Sequence, residues 1–226
     1  MAAADRDRAG AGDGRPLVIA TIATTGLTFE PVSHTYRLEG REIPSVTQIL
    51  SDNRLRADFR FVNPDVLERA RRLGQAAHAA AHYYDEGSLD TATVAPEVQP
   101  YLDAWRLFVE ERQVHMLQLE QLWADPLYLF AGTIDRVAEV DGIERAIILD
   151  IKTGEATGTN YQTAAYAHLA GLPLFTPRWS VQLHPERAVP YSVTPYSRTS
   201  DWRIFRAALE LTHERAALGL AWREAA

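Results

Sequence analysis

The apolar run Ile147-Ile148-Leu149 passes straight into Asp150-Ile151-Lys152, and no other stretch constrains the fold as much. Residues 145–151 read as a strand, joined to a second one over 133–140 by a turn at Asp141-Gly142. Alternate residues of a strand share a face, so Asp150 and Lys152 point one way while Leu149 and Ile151 enter the core. A charged pair at the end of an apolar run belongs at the rim of a sheet. Asp135 lies on the neighbouring strand, where cross-strand pairing can bring it near Asp150.

The segments around this hairpin fill out a mixed α/β sheet with helical cover. Residues 34–38 and 41–43 flank Glu39-Gly40 as a hairpin, and Ser45 caps a short helix to Leu50. Pro64 opens a long Ala-rich helix that runs to about Tyr84, and a second helix covers 96–111. Strands are expected at 116–123 and 127–130, then again at 179–183 and 190–193 after a helix over 160–170. A last helix starts at Asp201, with Trp202, Phe205, Leu209, Leu211 and Leu218 as its packing face. Residues 1–15 read as a disordered leader and 17–24 as a strand, so 16–226 is taken as a single domain. The apolar run 17–23 is too short to span a bilayer and no small-residue cleavage site follows, so a cytoplasmic protein with no membrane partner is expected.

Composition narrows the chemistry. The chain has 226 residues, no cysteine and a net charge of -7. That excludes thiolate metal sites, iron–sulfur clusters, cysteine nucleophiles and a generic basic nucleic-acid coat. Of 23 basic residues a single one is lysine, and it is Lys152. Arginine stays charged and forked, whereas lysine is a compact ammonium that can shift its pKa and give up a proton. Two carboxylates brought together repel unless one keeps a proton or a cation sits between them, and oxygen ligands without sulfur suit Mg²⁺ or Mn²⁺.

Several motifs follow one another: Gly74-Gln75-Ala76-Ala77-His78 in the long helix, Gly132-Thr133-Ile134-Asp135, Asp150-Ile151-Lys152, and Gln162-Thr163-Ala164-Ala165-Tyr166. Gln162 and Tyr166 share a helix face. The series resembles the PD-(D/E)XK nuclease superfamily, in particular its RecB-like exonuclease branch, and the 34–50 segment is similar to the front end of phage-type members. The resemblance spans roughly residues 29–183 and implies a restriction-endonuclease-like core, a central mixed β-sheet flanked by helices. It implies a Mg²⁺-dependent DNA nuclease, more an exonuclease than a sequence-specific endonuclease, in DNA repair, recombination or phage replication, with Mn²⁺ as a substitute. By the same resemblance Asp135, Asp150 and the Ile151 carbonyl are metal ligands, and Glu120 stands where related enzymes often carry a further carboxylate. Lys152 positions or deprotonates the attacking water, Gln162 and Tyr166 orient the Lys152 region or the DNA backbone, and His78 binds a second metal or a phosphate. With Lys152 as the only lysine there is no Walker A motor, so a helicase or a single-strand annealing protein is a conceivable partner.

Rival readings remain at this point. One is a nuclease fold kept as a catalytically inactive DNA-binding or assembly module. Another is a zinc site on His78 and His82, which share a helix face but have no evident third ligand. The stretch Arg54, Arg56, Arg60, Arg69, Arg71 and Arg72 suits phosphate contact or a solvated face equally. Tyr83, Tyr84 and Trp105 could stack on bases or pack in a core. His34, His115, His168, His184 and His213 show no clear partner.

Overall fold

The computed structural model describes residues 25–220. The expected leader and 17–24 strand, and residues 221–226 of the helix expected to run to the terminus, lie outside them. A three-stranded antiparallel sheet comes first: β1 (Leu27–Glu30), β2 (Thr35–Leu38) and β3 (Arg41–Ile43). Glu39 and Gly40 both take positive φ, 51° and 80°, as a tight hairpin turn between twisted strands requires. β1 was not evident in the sequence, where its four residues show no long alternation. Ser45 then caps α1 (Val46–Asp52) in a reciprocal box with Gln48. Asn63 and Pro64 start α2 (Pro64–Asp85), and α3 (Gln99–Glu111) follows.

The central sheet has five strands in the order β4-β5-β6-β7-β8. They are β4 (Val114–Asp125), β5 (Phe130–Val140), β6 (Ile147–Lys152), β7 (Arg178–Leu183) and β8 (Tyr191–Tyr196). All neighbours are antiparallel except β6 and β7, which are parallel and joined through α4 (Thr159–Leu169), as parallel strands require a crossover. The expected strand at 127–130 is instead a turn that feeds β5. The Asp125 carboxylate accepts the N–H groups of Leu127 and Tyr128, and Leu129 takes φ 53°. That local side-chain capture outcompetes a ladder.

Helices cover both faces of the sheet. On one, α1, α4 and α5 (Ser200–Ala217) bury Val46, Ile49, Phe130, Ile148, Leu169 and Phe205. On the other, Trp105 and Phe108 of α3 meet Ala138, Leu149, Ile151 and Val181. The mixed α/β architecture read from the sequence is therefore the one observed. Two buried ion pairs tie the layers together. Arg136 Nε meets Asp85 Oδ2 at 2.6 Å, and Arg178 meets Asp201 at 2.9 Å while also donating to the carbonyls of Asn160 and Arg198. Among the described residues no helix is long and apolar enough to cross a membrane.

Candidate active site

β5 and β6 stop pairing just where their charges begin. The last rung joins Arg136 to Leu149, which sets Asp135 and Asp150 at the next level on adjacent strands. The Ile151 N–H turns to the Asp135 carboxylate (Oδ2, 3.3 Å) in place of a backbone partner. On the other side of β5, the register from Leu119–Arg136 to Gln121–Ile134 puts Glu120 opposite Asp135. Glu120 has φ 47°, left-handed backbone inside a strand, a strain of about 1–3 kcal/mol that the surrounding structure must hold. From above, α2 lowers His78 to 3.5 Å from Asp135 Oδ2, and its ring hydrogen-bonds the backbone of Ile151. Gly74 is what lets α2 come so close: a Cβ there would stand 3.0 Å from Thr153 Oγ1.

His78, Glu120 and Asp135 thus offer ligand atoms all within 4.8 Å of one another. Two carboxylates and an imidazole are a donor set that fits a divalent cation such as Mn²⁺ or Mg²⁺. Burial lowers the pKa of His78, against the pull of Asp135, which favours the neutral ring a metal needs. Burial, then repulsion from Asp135, pushes Glu120 up to about 7. Asp150 is raised to about 6, again by burial first, with Lys152 opposing and Asp135 adding to the shift.

Asp150 faces a different set of partners. It shares the α4 side of β6 with Lys152, whose Nζ lies 2.7 Å from its Oδ2. Gln162 completes a closed group: its Oε1 accepts from Lys152 Nζ (3.2 Å), and its Nε2 donates to Asp150 Oδ1 (3.0 Å) and to the Tyr166 hydroxyl (3.0 Å). Only a primary amide can accept at one end and donate twice at the other. α4 reaches this depth because its sheet-facing side is small, with Ala164, Ala165 and Ala167 buried, and because Gly132 sits beneath it. A Cβ on Gly132 would lie 2.9 Å from Tyr166 Cε1. The Gly-x-x-Asp spacing therefore serves helix approach as much as chemistry.

The sequence-derived residues thus fall into two touching groups, His78–Glu120–Asp135 and Asp150–Lys152–Gln162–Tyr166. Two details depart from expectation. Asp150 is fully buried rather than at a rim, and its carboxylate is engaged by Lys152 and Gln162; Ile151 meets Asp135 through its N–H. His82 lies away from the first group and pairs with Glu86 at 3.3 Å, so the two-histidine zinc arrangement is not assembled. Trp105 is fully buried, donates to Asp85, and cannot stack on a base, while Arg106 lies over the Tyr84 ring. Arg60, Arg71 and Arg72 pair with Asp58 and Glu68 on the surface. His168 has a partner after all, Asp125 at 2.7 Å, and stacks on Trp202. Asp85 and Arg136 went unnoticed in the sequence, although Asp85 is seven residues after His78, hence on the same face of α2, and Arg136 directly follows Asp135.

No family model and no curated protein matches the chain. Among solved structures, one described as the crystal structure of LHK-Exo in complex with dAMP is 15% identical over 79% of this chain and 95% of its own, with a TM-score of 0.35. At that degree of overlap the two chains share too little geometry to transfer a residue's role from one to the other.

Proposed function

We propose that the chain is a divalent-metal-dependent nuclease that hydrolyses phosphodiester bonds in DNA, as an exonuclease of the RecB-like or phage type, in repair, recombination or phage replication. Residues 16–226 would be its single catalytic domain. The observation that carries this reading is the placement of the only lysine: its ammonium contacts both Asp150 and Gln162 directly beside the His78–Glu120–Asp135 group. His78, Glu120 and Asp135 would hold the cation, with Asp150 able to join once it is released from Lys152. Bound there, Mg²⁺ would activate water and neutralise charge on the phosphate.

The chain's own groups divide the remaining work. Hydrolysis forms a bond from water oxygen to phosphorus and breaks the bond from phosphorus to one sugar oxygen, which leaves with a proton. Lys152 supplies a positive charge where the non-bridging oxygens become more negative. It donates to Asp150, whose pKa burial raises to about 6. Gln162 fixes both partners at once, and Tyr166, with a pKa raised well above its usual value by burial, stays a neutral hydroxyl that locks the amide.

End-labelled linear DNA and closed circular DNA, incubated with Mg²⁺, Mn²⁺ or a chelator, test the proposal beside Lys152→Ala. The linear substrate should be degraded, the closed circle spared, and the variant slowed by about 10²-fold or more. Full activity with the chelator, or in Lys152→Ala, would reject it. Metal-dependent DNA binding without cleavage would instead favour the inactive binding module.

A further inference from the structure

The last helix was expected to bury Leu211 and Leu218, but it does not. Trp202, Phe205 and Leu209 face the sheet, whereas Ile204, Leu211 and Leu218 are 40%, 52% and 74% exposed. These three recur every seven residues and form one stripe along α5. The stripe borders a groove of about 690 Å³ between α5 and the end of α1, with Ala207 on its wall and Leu55 across from it. An apolar stripe at this spacing matches another helix better than it matches water.

The charges beside the stripe indicate which helix. Arg203, Glu210 and Glu214 are exposed along one edge, and none has an ion-pair partner among the described residues. We infer that α5 is a homodimer interface in which two copies of the chain pair their α5 helices antiparallel about a two-fold axis through Ala207 and Ala208. That axis lays Ile204 of each copy against Leu211 of the other, with the small alanines at the closest approach. With a rise of about 1.5 Å per residue, Arg203 of one copy falls about 3 Å along the axis from the levels of both Glu210 and Glu214 of the other. An antiparallel pair keeps these residues on the same side, so one arginine sits between two opposing glutamates, twice by symmetry. A parallel pairing, about an axis along the helices, would instead put the two charged edges on opposite sides of the seam, where none of these charges meets its complement. The other side of the stripe is closed by the residue 52–55 segment, to which Arg215 already donates at the Asp52 carbonyl (3.2 Å).

Sedimentation velocity on the full chain, from about 1 to about 100 µM, tests this, because interfaces of modest size associate in that range. The wild type should shift from monomer towards dimer. Leu211→Glu and Arg203→Glu should each remain monomeric, and the triple variant Arg203→Glu/Glu210→Arg/Glu214→Arg should regain dimer by reversing every sign. All four substituted sites are exposed, so circular dichroism should report an unchanged fold. A wild type monomeric across the range, a dimer indifferent to Leu211→Glu, or a triple variant no better than Arg203→Glu alone would each overturn the inference, as would a groove occupied by the chain's own first 24 residues, since that leaves a monomer.

Discussion

Asp85→Ala should cost far more stability than its position at a helix end suggests. Asp85 and Arg136 have side chains 1% and 0% exposed and meet at 2.6 Å. Asp85 also accepts the Trp105 indole N–H at 2.9 Å, and the guanidinium lies 4.9 Å from the Trp105 ring centroid. Removing the carboxylate strands a buried arginine that cannot lose its proton, a loss of about 3–5 kcal/mol. The reverse cut is milder. Burial already raises the Asp85 pKa against the pull of Arg136 and Trp105, so in Arg136→Met the carboxyl can take up a proton and keep its bond to Trp105. Replacing both, as Asp85→Ala/Arg136→Met, removes the stranded charge and should recover about 2 kcal/mol or more relative to the sum of the single changes. Urea unfolding of the four proteins gives the cycle. In a thermal melt Asp85→Ala should fall by roughly 6–20 °C, at about 2–4 °C per kcal/mol for a domain of this size. An Asp85→Ala loss under 1 kcal/mol, or additive single changes, would refute the account of this pair as the clamp between α2 and β5.

Three further outcomes follow from the site. Glu120 titrates near 7 when folded against 4.5 as a free side chain, so the folded state binds its proton more tightly and stability is lost as pH rises from about 4.5 to 7. Melted in chelator, Glu120→Gln should therefore overtake the wild type above pH 7, by on the order of 1–3 kcal/mol, and lose that advantage towards pH 4.5; Mn²⁺ should stabilise the wild type only. Gly132→Ala should lower stability by about 1–3 kcal/mol in urea unfolding and reduce cleavage, because the new methyl displaces Tyr166. Gln162→Glu can no longer donate to Asp150 and Tyr166 and sets another carboxylate against Asp150, so it should slow cleavage at least about tenfold at pH 7 and cost about 1–3 kcal/mol of stability, as checked by rate and melt on one preparation.

Much of this was legible because short-range chemistry marks it. Ser45 as a cap, Pro64 in a first helical turn and Glu39-Gly40 as a tight turn each act through local backbone geometry, so these ends were readable from a few letters. The lone lysine drew attention to β6, and the four-residue gap from Gln162 to Tyr166 put both on one face of α4. What stayed hidden depended on distant partners. Asp125 captures the backbone ahead of Phe130, which no apolar count at 127–130 could foresee. Asp85 matches Arg136 across fifty residues, and the exposure of Leu211 is decided by which side of α5 the sheet takes. Glu120 was named through the resemblance alone, since neither its left-handed backbone nor its nearness to His78 follows from spacing.

The way charge is matched separates scaffold from site. Arg178 with Asp201 and Arg136 with Asp85 are one-to-one pairs, with further hydrogen bonds on the Arg178 guanidinium and on the Asp85 carboxylate. Around β5 and β6, by contrast, Glu120, Asp135 and Asp150 crowd together with Lys152 as their one dedicated cation, and Arg136 adds only a field through its neighbours. Such a group opposes folding: burial and mutual repulsion have raised two of the three carboxylates, and apolar residues of the same volume would hold the sheet better. A strained backbone at Glu120 adds to the cost. A cluster that weakens the fold in three separate ways, set where β5 and β6 release their rungs, fits the proposed cation site, because a divalent cation held there would relieve the repulsion.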